Sequence, residues 1–213
     1  MEKLKSKRII IIGAIIFVLL VLGLGIFLVL NLTPDIESVK DSVVMIETFD
    51  EEGTKIGTGS GFCAYKDNYI VTNFHVIQGA KKIKIIDDNK KEYNINKIEI
   101  IKSGDDLAVL SGDFSFKPIK IANSKLKAGD SVTAIGSPKG QLNTVSTGVV
   151  SNADDDYEIR ITAPISPGSS GGVLLNNKNQ VIGITYAAYN SIEAQNIHKV
   201  YFYFSLRVMP DVF

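Results

Sequence analysis

Three short segments hold the residue types that hydrolytic chemistry needs. The first is Ile70-Val71-Thr72-Asn73-Phe74-His75-Val76-Ile77, a β-rich run that leads into a histidine. The second, Gly104-Asp105-Asp106-Leu107-Ala108-Val109-Leu110, puts a carboxylate at the entry to an apolar run. The third, Ser166-Pro167-Gly168-Ser169-Ser170-Gly171-Gly172, wraps serine in glycine. Alone, each has a plain structural explanation. Together they supply a nucleophile, a base and an acid. A serine hydroxyl is a weak nucleophile near neutral pH, so a base must take its proton as it attacks a carbonyl. Imidazole titrates in that range and can return the proton to a leaving amine. A carboxylate fixes the imidazole tautomer and stabilises the imidazolium. Glycines let backbone N–H groups approach a developing oxyanion, where losing one donor typically costs about 3–4 kcal/mol of barrier.

These residues must be positioned by strands. Short β-type runs occur at 43–49, 82–87, 93–101, 107–110, 131–136, 143–150, 157–162, 180–186 and 200–206. Turn formers separate them, as at Asp87-Asp88-Asn89, Asn123-Ser124, Ser137-Pro138-Lys139-Gly140 and Asn176-Asn177. Many short strands at regular spacing predict an all-β sandwich or barrel. Gly57-x-Gly59-Ser60-Gly61 is followed by Phe62 and so lacks the dinucleotide fingerprint. It reads as a strand with a close backbone approach. Gly168-x-Ser170-x-Gly172 also matches the nucleophile elbow of α/β-hydrolases, but these need strand–helix alternation and the order Ser, acid, His. His198 lies in a polar stretch, 190–199, that reads as a loop without a catalytic role.

Composition narrows the function further. The chain has 23 basic and 23 acidic residues, so there is no basic footprint for nucleic acid. A single cysteine, Cys63, excludes an internal disulfide and reads as a small buried apolar side chain. With only His75 and His198 beside it, a multi-Cys/His zinc site is excluded too. The balanced charge conceals an asymmetry, because residues 1–8 carry Lys3, Lys5, Lys7 and Arg8 against Glu2. From Ile9 to Leu30 there is no charged or hydrogen-bonding side chain. As a helix this run reaches roughly 33 Å, enough for a hydrocarbon core of about 30 Å. It is longer than the apolar region of a cleaved signal and runs into Asn31-Leu32-Thr33-Pro34-Asp35 without a small-x-small site. The expectation is an uncleaved signal anchor across the bilayer through residues 9–30. The basic flank, 1–8, would stay in the cytoplasm, residues 31–37 would be a linker, and 38–213 a soluble domain outside the cytoplasm.

The order His, Asp, Ser and the strings TNFHVI, DLAVL and SPGSSGG resemble the HtrA branch of the trypsin-like serine proteases, over roughly residues 38–213. The resemblance implies two six-stranded antiparallel β-barrels, about 38–122 and 126–206, with the active site in the cleft between them. His75 is then the general base, Asp106 the orienting acid and Ser170 the nucleophile, with Asp105 as the competitor for the acid role. The oxyanion hole falls on the N–H groups of Gly168 and Ser170, with Ser169 between them. In this fold the residue six before the nucleophile lies at the base of the primary specificity pocket, which maps to Pro164 and its neighbour Ile165. The family implies peptide-bond hydrolysis through an acyl-enzyme on protein or peptide substrates, without metal or cofactor. It also implies quality control or regulatory cleavage at the outer face of a bacterial membrane. The alternative is a catalytically silent module of the same fold that binds unfolded segments or a partner. Ser166 and Ser169 stand where the family usually has asparagine, and Val173 where proline often follows the glycines. At Ser169 the secreted digestive enzymes carry an aspartate that pairs with a new N-terminus, so that activation is not expected. With 43 residues after Ser170, PDZ-mediated peptide sensing is not expected either.

Overall fold

The computed structural model describes residues 2–32, 35–123, 126–153, 158–188 and 198–202; within these, the side chains of 2–10, 27–32, 158, 187–188 and 198–202 are left aside. The chain divides into two units, 1–34 and 35–213. The first is one helix, α1 (Glu2–Leu32). Its large apolar side chains from Ile11 to Ile26 are each exposed by more than half. Among the described residues no helix is long and apolar enough to cross a membrane. In α1 the described side chains are 11–26, fewer than the roughly 20 positions of a full crossing.

The second unit opens with a one-turn helix, α2 (Glu37–Lys40), where a linker end was expected. Strands β1 (Val43–Phe49), β2 (Lys55–Cys63) and β3 (Tyr69–Thr72) follow, then a one-turn helix, α3 (Phe74–Ile77). Next come β4 (Lys82–Ile86), β5 (Glu92–Lys102) and β6 (Leu107–Gly112). These six strands close into an antiparallel barrel in the order β1-β2-β3-β6-β5-β4. A second closed barrel follows, with β7 (Ser131–Gly136), β8 (Thr144–Asn152), β9 (Glu158–Ile161), β10 (Val173–Leu175), β11 (Val181–Ala188) and β12 (His198–Phe202) in the order β10-β11-β12-β9-β8-β7. The expected all-β double barrel is therefore the observed architecture.

One local reading is corrected. His198 and Lys199 are not loop but open β12, where they pair with Ala188 and Lys199's neighbour Ala187 on one side and with Ile161 and Arg160 on the other. Backbone pairing on both edges overrides the polar composition around them. The three-residue strand β10 carried no periodic signal and is defined by its neighbours β7 and β11. The expected strand at 200–206 is described as far as Phe202; its remainder, Tyr157, Ser124 and residues 203–213 of the expected domain lie outside the described residues.

Strands buried on both faces explain the continuous apolar runs. In β1, Val44 and Ile46 join Ile70, Ile85 and Leu110 inside the first barrel. Val43, on the opposite face, joins Phe62, Val71, Leu107 and Val109 against Ile135, Val173, Leu175 and Ile184 of the second barrel. Successive strand residues point to opposite faces, so a strand between two cores needs apolar residues at every position. Each such side chain contributes about 1.5–3 kcal/mol relative to exposure. The second barrel has its own core, built on Val132, Val150, Ile159, Ile161, Leu174 and Ile182. The inter-barrel cluster thus fixes how the histidine side meets the serine side.

Candidate active site

His75 lies on α3, directly after β3, and Asp106 closes the 3-10 turn Ser103–Asp105 just before β6. Because β3 and β6 are neighbours, paired from Tyr69↔Ser111 to Thr72↔Ala108, their ends bring the two residues together. Asp106 Oδ2 lies 2.6 Å from His75 Nδ1, and Asp106 Oδ1 accepts the His75 backbone N–H at 2.8 Å. An ionised carboxylate can only accept, so Nδ1–H is the donor in this pair. Asp106 makes this contact; Asp105 does not. The Asp106 carbonyl accepts from Phe74 N–H at 3.1 Å and Asn73 Nδ2 at 2.9 Å, and its backbone sits in the left-handed region at φ 48°. Aspartate is among the few non-glycine residues that tolerate that region. The carboxylate is 16% exposed and the imidazole 44%, so the ring presents an open edge to solvent and its anchor does not.

Ser170 belongs to the second barrel, in the loop before β10. Its hydroxyl donates to the Tyr186 carbonyl at 2.9 Å, and His75 Nε2 has no hydrogen-bond partner among the described residues. Tyr186 lies at the irregularity of the β11–β12 ladder between Thr185 and Ala187, where a bulge turns its carbonyl out of the pairing. Sequence reasoning missed this contact, because a bulge is set by pairing register and leaves no composition signal.

The loop itself is pinned peptide by peptide. Pro167 C=O accepts Lys139 N–H at 2.9 Å, and Ser169 C=O accepts Thr185 Oγ1 at 2.6 Å and Gly172 N–H at 2.9 Å. A trans peptide points its N–H opposite to its C=O, so these anchors aim Gly168 N–H and Ser170 N–H away from the protein. Neither N–H meets an acceptor among the described residues, whereas Ser169 N–H is taken by Ser166 C=O at 2.9 Å. Two free, fixed donors beside a serine hydroxyl are groups that can stabilise an anion. Gly168 holds φ +97°, and a Cβ there would meet Ser137 C=O at 2.8 Å, which explains glycine at this position.

Pro164 and Ile165 line a cavity of about 140 Å³ together with Ala134, Gly136, Thr144, Ser166, Ser169 and Thr185. Its lining contains no charged side chain. A larger depression, about 550 Å³ around Asn176 and Lys178, contains none of His75, Asp106, Ser170, Pro164 or Ile165, so size does not locate the chemistry here.

Residues 59–184 match the family described as trypsin-like peptidase domain. The chain is 38% identical over 148 residues to a probable periplasmic serine endoprotease DegP-like of Marinomonas sp., covering 65% of this chain and 31% of that protein. It is 34% identical over 169 residues to serine protease HTRA1A of Danio rerio, covering 70% and 35%. It is also 33% identical over 172 residues to anti-sigma-I factor RsgI9 of Acetivibrio thermocellus, covering 78% and 24%. The chain thus spans about a third or less of the length of these relatives. Among solved structures, the serine endoprotease from Yersinia pestis matches with a TM-score of 0.75 at 27% identity, covering 83% of this chain and 64% of that one. With the double barrel and these matches together, the chain belongs to the trypsin-like peptidase family, on its HtrA-like side.

Proposed function

We propose that the protein is a serine endopeptidase in which Ser170, His75 and Asp106 act as one triad. The observation that carries this reading is the Asp106 carboxylate gripping both the ring and the backbone N–H of His75. It leaves Nε2 without a hydrogen-bond partner among the described residues, while Ser170 sits in a loop with two unoccupied N–H donors. Substrate would lie along the cleft with one side chain in the Pro164/Ile165 cavity. Ser170 swings from the Tyr186 carbonyl to His75 Nε2, a change of one side-chain rotamer. As its oxygen bonds to the scissile carbonyl carbon, its proton passes to Nε2, and the carbonyl oxygen becomes an oxyanion on Gly168 and Ser170 N–H. His75 then gives that proton to the leaving amine as the C–N bond breaks, leaving an ester on Ser170. Water, deprotonated by His75, hydrolyses the ester and restores the enzyme. The uncharged lining of the small cavity offers a cation no partner, so the residue before the scissile bond is a small or medium aliphatic one.

We further propose that the uncharged run Ile9–Leu30 within α1 anchors the chain in a bilayer, with the basic flank 1–8 in the cytoplasm and the protease unit outside. Its substrates would be exported or envelope proteins. Cysteine labelling in a Cys63→Ala background tests the topology: a cysteine at Asn176 reacts with an impermeant maleimide in intact cells with an opened outer envelope, and one at Ser6 only after lysis. The reverse pattern contradicts it.

The catalytic reading is tested with a fluorophosphonate probe. It phosphonylates Ser170, located by peptide mass spectrometry, and His75→Ala suppresses the labelling. A protein in which the hydroxyl remains on Tyr186 and takes no probe would be the silent binding module instead.

A further inference from the structure

The glycine-rich strand β2 is left unexplained by its barrel. Its pairing with β3 covers only Phe62↔Val71 and Cys63↔Ile70, so the stretch before Phe62 has no strand on that side. The nucleophile loop of the other barrel stands there instead. Ser60 N–H donates to the Ser170 carbonyl at 2.7 Å. Gly59 is side-chain-free because a Cβ would run into Val76 and approach the Ser170 carbonyl, and Gly171 because a Cβ would meet the Ser60 carbonyl and Thr72 Oγ1.

At the centre of this contact is the Ser60 hydroxyl, fully buried. It accepts Ser137 N–H at 2.8 Å and donates to the Gly168 carbonyl at 2.7 Å. Since Ser137 N–H can only donate, the single hydroxyl proton is committed to Gly168. Both partners bear on the oxyanion donors. The Gly168 carbonyl belongs to the peptide that follows the free Gly168 N–H, so holding it fixes the far side of that residue; Ser137 begins the turn from which Lys139 N–H holds the Pro167 carbonyl, which shares its peptide with the Gly168 N–H. Thr72 Oγ1, three residues before His75, closes the circuit by donating to the Ser60 carbonyl at 2.7 Å.

We infer that Ser60 is a positioning residue for the reaction: through its hydroxyl the first barrel, which carries His75 and Asp106, sets the orientation of the Gly168 N–H in the second. This rests on the proposed protease reading. Its effect is specific to the transition state, because the oxyanion exists only there, while ground-state binding in the side-chain cavity does not use Ser60.

The test uses the full chain carrying Ser60→Ala, Ser60→Thr or Ser60→Cys, assayed on an aliphatic peptide amide. For each variant, the affinity for a peptide aldehyde, whose adduct with Ser170 places an oxygen on the donors, is compared with that for the product acid. Ser60→Ala lowers kcat about 10–100-fold, less than the loss of a donor itself, with KM and product affinity within about threefold. Aldehyde affinity falls in parallel with kcat, the acid limb of the pH profile does not move, and Ser60→Thr recovers most of the rate. If Ser60→Ala does not fold, Ser60→Cys carries the test: its weaker donor lowers kcat and aldehyde affinity together, by a smaller factor. Unchanged kcat, or equal losses of aldehyde and product affinity, overturns the role of Ser60 while leaving the protease reading intact. Wild-type hydrolysis that survives Ser170→Ala overturns both.

Discussion

Asp106 is the residue on which the histidine depends, since it binds the ring and the backbone of the same residue. Asp106→Asn keeps the shape but can donate through its amide to Nδ1, which stabilises the wrong tautomer. The expected loss in kcat is on the order of 10⁴ with little change in melting temperature, as in the general triad case. Asp105→Asn, at a side chain that does not touch His75, changes kcat by less than about threefold. Equal losses for the two variants would show that the acid has been misassigned. Thr185 gives a second residue-scale test: Thr185→Val keeps the volume and removes the donor to the Ser169 carbonyl, freeing the peptide that carries Ser170 N–H. Steady-state kinetics should show kcat reduced about 10-fold at nearly constant KM. The proposed triad was legible in the sequence because each candidate member lies in a short local string. Ser60, Thr185 and Tyr186 were not legible as partners, because these bonds span 16 to 108 positions of chain and none of the residue types forms a recognisable pattern.

At the scale of elements, the placement of histidine and acid follows from one strand pair, β3 and β6, and the placement of the serine from the loop before β10. Val43–Phe49, with most of both faces buried, and Ser131–Gly136, with Val132, Ala134 and Ile135 buried, were readable to the residue from their apolar and β-branched content. Elements that depend on neighbours were not: β10 has three residues, α3 one turn, and β12 begins in a polar stretch. Gly171 offers a test of how the elements abut. It holds φ +86° and lies against Ser60 and Thr72, so Gly171→Ala must strain the backbone and separate β2 from the Ser170 loop. Activity should fall at least 10-fold and the melting temperature by several degrees. A fully active, equally stable variant would contradict the observed contact.

Across the two barrels, the junction is formed by the apolar cluster around Phe62 and Ile135 and by buried polar residues, among them Ser60 and Asn143. From the second barrel Asn143 Nδ2 donates to the carbonyls of Lys40 and Val43 at 3.1 Å and to the Asp88 carboxylate at 3.0 Å. Asn143→Ala leaves the buried Val43 carbonyl and the half-buried Lys40 and Asp88 acceptors without that donor, which costs about 1–3 kcal/mol in chemical denaturation. Cys63 provides a pH test of the same fold. Burial, with Asp67 adding to it, pushes its thiol up to about 12. A folded-state value raised above the unfolded one contributes stability below the unfolded value that is lost as pH rises towards 12. Cys63→Ala should therefore flatten the alkaline decline in stability, and native Cys63 should react with a thiol reagent only on unfolding.

The claim that the three residues form one proton-transfer unit across two barrels is tested most directly by the kcat of Ser170→Ala, His75→Ala and the double variant on one aliphatic peptide amide. Each single variant should lose nearly all activity, and the double should be no more than a few-fold worse than either, because removing one member already disables the chain. Losses that multiply in the double variant, or substantial hydrolysis by Ser170→Ala, would contradict it.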